Sequence, residues 1–220
     1  MRLSSLTRVV AAAALVALPS VSQAQITTHS SLASLLGATS NAGTDDFESL
    51  SITGSTPTPI TRTAGPHTYT AAVVNNFFGA GTSADHWLSS NTATETITFS
   101  GFGTNIRGIG ANFFGSDLSG NFLANTSIVV TLNTAAGSLT QTLTNTTLGT
   151  FLGFTTTSNI LTMTVAAVQP TGAFAWPTMD DLVLAEAPTN VVPEPSTYAL
   201  MGTGLIGLGA AARRRRAATA

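Results

Sequence analysis

The chain of 220 residues predicts an all-β fold, a β-sandwich or jelly roll, on three observations. Short apolar segments with strand-like patterns recur at a spacing of roughly ten residues, and Gly, Asn and Ser separate them. Threonine, whose β-branched side chain fits a pleated surface, is abundant throughout the middle of the chain. No long segment there has the periodicity of an amphipathic helix. We assign this β domain to residues 45–187.

Eight segments are predicted to be strands after the start of the domain: 69–74, 94–99, 106–114, 127–132, 138–143, 149–154, 160–165 and 174–184. In the second of these, Ile97 and Phe99 alternate with threonines and should face the core. The segments 127–132 and 138–143 should form a hairpin through the turn at 133–137.

The segment 25–44 precedes the predicted domain and is rich in Ser, Thr, Ala and Gly. We interpret it as a flexible leader, in which Leu32, Leu35 and Leu36 have the spacing of one short helical turn. The domain is expected to begin with a strand over 45–52.

Residues 1–24 have the pattern of a secretory signal peptide. Arg2 and Arg8 form its positive start, an apolar stretch over 9–18 follows, and Ala24 ends a small-x-small cleavage site. The apolar stretch is too short for an ordinary membrane span. The pattern predicts export by the Sec machinery and cleavage after Ala24.

The C-terminal end predicts a membrane anchor. A linker over 188–196 leads to an uncharged, apolar run over 197–212, which as a helix would be about 24 Å long. The tail at 213–220 begins with four consecutive arginines, Arg213, Arg214, Arg215 and Arg216. Arginines beside a membrane helix stay on the cytoplasmic side, so the segments before the helix should lie across the membrane.

The linker contains Pro193, Glu194 and Pro195 directly before the apolar run and the arginine cluster. This order of three elements resembles the PEP-CTERM sorting signal. The resemblance implies a Gram-negative bacterium that makes exopolysaccharide, and an exosortase that recognises the Pro-Glu-Pro triplet. The precursor would be anchored in the inner membrane, and processing would bring the upstream domain to the cell surface or release it.

The segments 101–122, 151–154 and 179–184 resemble the ectodomains of many PEP-CTERM proteins, which in turn resemble galactose-binding or lectin-type jelly rolls. In such carbohydrate-binding modules, acids of the last and first strands often meet around a structural calcium ion. The corresponding candidates are Glu48, Asp180 and Asp181, with Asp45 and Asp46 as further oxygen donors. Because side chains alternate along a strand, only one of Asp180 and Asp181 should point into a given site. Alternatively, these carboxylates are exposed or cap the ends of strands, and the protein then has no cofactor.

Composition limits the functions open to this chain. It contains no lysine and no cysteine, and Arg62 and Arg107 are the only cations between the two targeting segments. An acidic domain of this kind is poorly suited to nucleic acid or to anionic membrane surfaces. The absence of cysteine leaves its stability to the packed core.

The sequence offers a glycan site more readily than a catalytic one. Asp85 and Trp87 are expected in a Gly/Ser/Asn-rich loop, where the indole could stack on a sugar and the carboxylate bind hydroxyls; alternatively, Trp87 fills the core. Trp176 has the same two interpretations. The histidines are scattered, and neither an H-E-x-x-H nor a G-x-S-x-G motif is present. We therefore expect a non-enzymatic structural or adhesive protein, with a carbohydrate-binding module as the alternative and a glycoside-active enzyme third.

Overall fold

Residues 25–188 and 200–208 are described by the computed structural model, and most of them lie in β-strands. The elements are β1 (Ile26–His29), α1 (Leu32–Gly37), β2 (Ser40–Asp45), β3 (Ser55–Pro57), β4 (Ile60–Ala64), β5 (His67–Ala72), β6 (Asn76–Thr82), β7 (Asp85–Ser90), β8 (Ile97–Ser100), β9 (Ile106–Ser116), β10 (Phe122–Leu123), β11 (Ser127–Thr134), β12 (Gly137–Leu143), β13 (Phe151–Thr156), β14 (Ile160–Val168) and β15 (Trp176–Glu186). A short helix, α2, covers 200–208.

The strands form two antiparallel sheets. The nine-stranded sheet has the order β1-β13-β9-β15-β7-β6-β3, with β10 beside β9 and β2 beside β15. The six-stranded sheet has the order β12-β11-β14-β8-β5-β4. One apolar core lies between them, to which the first sheet contributes Ile109, Phe113 and Leu184 and the second Phe99 and Val130. The arrangement confirms the predicted all-β sandwich.

The eight predicted strands lie close to observed ones, but β3, β4, β6 and β7 have no counterpart among them, and the loop expected around Asp85 and Trp87 is the start of β7. Ile97 and Phe99 are both fully buried, as their alternation with threonines indicates. In the β11–β12 hairpin Thr134 pairs with Gly137, so the predicted turn is in place. The two long central strands extend beyond their predicted ends because further residues with one buried face continue the same ladder.

The prediction of a flexible leader over 25–44 is wrong. Within it, β1 pairs with β13, and β2 pairs with β15. Between them α1 begins at an N-cap formed by Ser31, whose Oγ accepts a hydrogen bond from Ser34 N, and it buries Leu35 completely. The polar composition is misleading here because these short strands lie at the margins of the sheet and expose most of their side chains.

The predicted strand over 45–52 is also wrong, since β2 ends at Asp45 and a turn follows. Phe47 in that turn has a φ of 57°, an unusual backbone conformation for a bulky residue. Its side chain is nevertheless fully buried, and Leu50 is buried beside it in the same core. The apolar residues of this segment therefore enter the core from a turn.

The chain enters and leaves the sandwich at the same end. Gln25 and Pro188 line one cleft, which marks what we call the tail end of the domain. The last strand begins at Trp176 and has eleven residues. At about 3.3 Å per residue, Trp176 lies about 35 Å from the tail end. We call the opposite end, with the loops 91–96, 117–121 and 169–175, the distal end.

Helix α2 falls inside the predicted membrane segment 197–212, the rest of which lies outside the described residues. Among the residues that the structure describes, no helix combines the length and the apolar character needed to cross a membrane. The predicted signal peptide with Ala24, the triplet Pro193-Glu194-Pro195 and the cluster Arg213–Arg216 also lie outside the described residues.

Candidate functional site

The last strand changes its neighbour along one of its edges. One edge of β15 pairs with β9, whereas the other pairs first with β7 and then with β2. The change occurs at a β-bulge between Asp180 and Val183, where Asp181 has a φ of 53°. We call this place the β15 fork.

The fork brings together the predicted acidic residues of the last strand and Asn112 of β9. Asp180 and Asp181 are half-buried, and Asp181 N–H donates a hydrogen bond of 2.8 Å to Asp180 Oδ1. Asn112 Nδ2 donates to Asp181 Oδ2 over 3.3 Å. The bulge breaks the regular alternation of side chains on which the sequence analysis relied, because Asp181 is inserted in the left-handed conformation.

The pKa of Asp180 is raised to about 7, first by burial and then by the negative charge of Asp181, while the hydrogen bond from Asp181 N–H acts in the opposite direction. The charges of Asp85 and Glu48 act in the same direction as that of Asp181. The pKa of Asp181 is likewise raised, by burial first and then by Asp85 and Asp46. These acids therefore lie close enough to repel one another.

Glu48 connects the turn after β2 to the start of β7 through its contacts with His86. Its Oε1 accepts a hydrogen bond of 3.0 Å from His86 N, and its backbone oxygen lies 2.9 Å from His86 Nδ1. The residues that the structure describes include no group of three or more His, Asp or Glu side chains arranged to hold a metal ion. Calcium at Glu48, Asp180 and Asp181 stays a prediction.

We expect Asp180→Asn to change how stability depends on pH. Because the pKa of Asp180 is raised, the native state still holds a proton on this carboxyl at pH values where the unfolded chain has lost it, which begins near pH 4. The stability that this proton contributes is complete below pH 4 and is lost as the pH rises through about 7. Allowing for solvent screening of a half-buried group, the native protein should lose about 1–2 kcal/mol more over this range than the neutral variant, in which Asp181 still titrates with a raised pKa. Urea denaturation at pH 4.5 and at pH 8 measures this loss of stability, because the two values lie below and above the raised pKa of about 7.

The control for this experiment is Glu186→Gln, which changes a carboxylate of the same strand outside the fork. It should keep the native pH dependence. If Asp180→Asn and the unmodified protein lost equal stability between the two pH values, the raised pKa of Asp180 would be contradicted.

Asp45 is not free to bind an ion because its carboxylate joins the two sheets. Arg62 donates from Nε to Asp45 Oδ2 over 2.7 Å and from a terminal nitrogen to Oδ1 over 2.6 Å. Tyr69 Oη donates to Oδ2 over 2.6 Å, and Phe47 N–H to Oδ1 over 3.1 Å. We call this set the Asp45 network; it connects β2 of one sheet with β4 and β5 of the other.

The electrostatics of the network follow from its burial. Burial raises the pKa of Tyr69, and the neighbouring negative charge of Asp45 adds to the effect. For Arg62, burial alone would lower the pKa, but the hydrogen bond and charge of Asp45 outweigh it and raise the pKa. Sequence reasoning missed this pair. The signal available was Arg62 itself, one of two cations in an otherwise acidic domain.

Trp87 does not offer a surface for stacking on a sugar, and the glycan hypothesis for Asp85 and Trp87 is wrong in this respect. The indole is only 4% exposed and packs edge-on against Phe114, with ring centroids 4.9 Å apart. Phe122 covers Phe114 from the β10 side. Trp87 thus fills a small second core on the outer face of the nine-stranded sheet. Asp85, two residues earlier, belongs electrostatically to the fork.

A cleft at the distal end presents the other tryptophan instead. It encloses about 160 Å³, and its lining includes Trp176, Phe78, Asn91, Asp117 and Leu118. Trp176 is half-buried, so part of it remains accessible in the cleft. The exposed ring of Phe174 flanks it at a tilted angle, with centroids 6.4 Å apart.

Asp117 shapes the wall of this distal cleft. Its Oδ1 accepts hydrogen bonds of 2.8 Å from Ser119 N–H and 2.9 Å from Asn121 N–H, which stabilise the turn 117–121. Leu118 on the same turn is 78% exposed. The sequence analysis considered Trp176 but not this cleft. The signal was the spacing of Phe174 and Trp176, which places two aromatic rings on the same side of an extended segment.

Residues 191–216 match the PEP-CTERM protein-sorting motif, and the match includes Pro193, Glu194, Pro195 and Arg213–Arg216. No curated protein and no solved structure shows significant similarity to the chain. The chain therefore carries a PEP-CTERM sorting motif behind an all-β domain, as the sequence analysis predicted. The motif implies an exported protein with a C-terminal membrane-anchoring region that an exosortase processes.

Proposed function

We propose that this chain is an exported surface or extracellular-matrix protein with a structural or adhesive role associated with exopolysaccharide. The observation that carries the proposal is the position of the sorting motif, whose match begins at residue 191, directly after a packed β-sandwich described to residue 188. The sandwich, which we take to be a jelly roll, is the delivered part. Its role is binding or structural, and we assign it no catalytic group.

The route we propose uses both ends of the chain. A signal peptide over 1–24 directs the chain to the Sec machinery of a Gram-negative inner membrane, and the segment 197–212 anchors it with Arg213–Arg216 in the cytoplasm. Since the sandwich joins the tail through Pro188, its tail end faces the membrane and its distal end faces away. An exosortase then acts at the triplet outside the membrane.

Replacing Pro193, Glu194 and Pro195 together by alanine tests the route. We expect processing to stop, so that the unprocessed precursor collects in the membrane fraction and surface delivery is lost. Proline disfavours a helix where alanine favours one, so the variant removes the backbone preference of the triplet that we propose the exosortase recognises. Immunoblots of membrane, surface and medium fractions measure the precursor and its product.

The matched control for this variant is Pro188→Ala, which removes a proline of the same connecting segment outside the motif match. It should be processed and delivered normally. Normal processing of the triple variant would overturn the proposed function.

The second candidate function is carbohydrate binding at the distal cleft, favoured by the half-buried Trp176 beside Asn91 and Asp117. An aromatic face stacks on the C–H groups of a pyranose ring, and amide and carboxylate oxygens accept hydrogen bonds from its hydroxyls. The acidic character of the domain favours a neutral polysaccharide over an anionic one. The cleft lies at the end that would face away from the membrane.

We expect Trp176→Ala to weaken the binding of neutral polysaccharide by about tenfold or more, because an aromatic anchor in a cleft carries a large share of the binding energy. Affinity electrophoresis in gels that contain the polysaccharide measures this. Leu161→Ala is the control, since Leu161 is 52% exposed and lies on the other sheet. If the unmodified chain binds no neutral polysaccharide at millimolar sugar, this candidate fails.

A further inference from the structure

One side of the sandwich carries no charge. The sequence holds no Asp, Glu, Lys, Arg or His between residues 118 and 179. Three strands from this stretch, β12, β11 and β14, stand side by side in the six-stranded sheet, with β12 at its margin. The rest of the domain is acidic, so this side is where a second acidic molecule could approach without like-charge repulsion.

The terminal strands of the two sheets differ in how well they are protected. β1 has four residues, and β3 has three and ends at Pro57. β4 carries Arg62 at its centre. Gly43 of β2 packs so closely on the backbone of Ala64 that no Cβ would fit between them. Shortness, proline, charge and a covering segment are the features that prevent a sheet edge from pairing with another chain.

β12 has none of these protections. It is seven residues long, contains neither proline nor charge, and is paired along its whole length with β11 on one side. Within the described residues no strand pairs with its other side. A strand of this kind leaves a row of backbone N–H and C=O groups available for another strand.

We propose that β12 is a self-association edge, at which a second copy of this chain adds its own β12 in antiparallel orientation. A two-fold axis relates the two strands, so that the six-stranded sheets of both copies form one continuous sheet. The outward side chains are Ser138, Thr140 and Thr142, which are short, uncharged and exposed. In the dimer these short side chains would lie opposite those of the second copy without steric or electrostatic conflict, and threonine pairs well across strands.

The absence of cysteine makes this proposal directly testable by cross-linking. Ser138→Cys, Thr140→Cys and Thr142→Cys each introduce a single thiol on the outward face of β12. Opposite residues of an antiparallel pair have Cβ atoms about 4.5–5.5 Å apart, which allows a disulfide after modest adjustment. The purified full-length chain in detergent is oxidised with copper phenanthroline, and disulfide-linked dimer is measured on non-reducing gels.

The control is Thr61→Cys, an exposed threonine on β4 at the opposite margin of the same sheet. We expect at least one of the three β12 variants, alone or mixed with another of them, to give several times more dimer than Thr61→Cys, because a two-fold axis brings an outward position opposite either itself or the next outward position. Adding Thr140→Lys to Ser138→Cys or to Thr142→Cys, or Thr142→Lys to Thr140→Cys, should abolish the excess, since lysines of both copies would then meet at the pairing edge. Dimer yields from all three variants and their mixtures no higher than that from Thr61→Cys would overturn the proposal.

Sedimentation velocity of the unmodified chain provides a second measurement without any substitution. We expect a concentration-dependent dimer, which Thr140→Lys, on the exposed outward face, converts to monomer while the melting temperature is retained. A chain that sediments as a monomer throughout the micromolar range would contradict self-association.

Discussion

Asp45→Asn is expected to lower the free energy of unfolding by about 3–5 kcal/mol, because it leaves Arg62 charged and without its counterion inside the protein. The side chains of Arg62 and Asp45 are only 13% and 4% exposed, so water can replace the lost carboxylate only in part. Tyr69 Oη would also lose its charged acceptor. Urea denaturation followed by far-UV circular dichroism measures the change.

Two comparisons distinguish the loss of the Arg62–Asp45 ion pair from a general effect of losing a carboxylate. Asp46→Asn changes the adjacent, exposed acid and should cost less than about 0.5 kcal/mol. Arg62→Met combined with Asp45→Asn should recover part of the loss because it removes the unpaired buried charge. Additive effects of the two single substitutions would show that Arg62 and Asp45 are not coupled.

Trp87→Ala is expected to destabilise the protein by about 3–5 kcal/mol, in the range of large-to-small substitutions at buried aromatic residues. The ring fills the small core between Ala80 and Phe114, and its removal leaves a cavity that the strands cannot close. Thermal unfolding followed by circular dichroism reports the loss. Because the indole is buried, the substitution should act through stability rather than through loss of sugar stacking.

The matched comparison for this effect is Trp176→Ala, which truncates the half-buried tryptophan. It should lower the free energy of unfolding by less than Trp87→Ala does, because Trp176 lies at the rim of a cleft and its removal leaves a smaller enclosed cavity. Equal destabilisation by the two substitutions would contradict the different burial of the two rings.

Local pattern was sufficient for eight of the fifteen strands in the described part of the chain, because a strand with one buried face shows its period directly in the sequence. It did not predict β3, β4, β6 or β7. Ile97 and Phe99 illustrate this, as does the hairpin of β11 and β12. The pattern failed over 25–44, where β1 and β2 gain their order from pairing with distant strands rather than from burying their own side chains. Strand pairing of this kind leaves no local signal.

The candidate sites were harder to predict because each depends on which segments become neighbours. The sequence shows Asp180 and Asp181 side by side, but the bulge and the approach of Asp85 and Glu48 exist only where β15 exchanges β7 for β2. Asp45 lies 17 positions from Arg62 along the chain, and the pairing of β4 with β5 also brings Tyr69 to the same carboxylate.

By itself, the sequence determined the sorting motif at 191–216, the all-β class and the absence of charge over 118–179. These properties depend on residue type and order along a short stretch. Only the tertiary structure decided that Trp87 is buried while Trp176 is accessible, and that β12 is the unprotected edge. The reason is that burial and edge position depend on which strands, distant in sequence, become neighbours in the sheets.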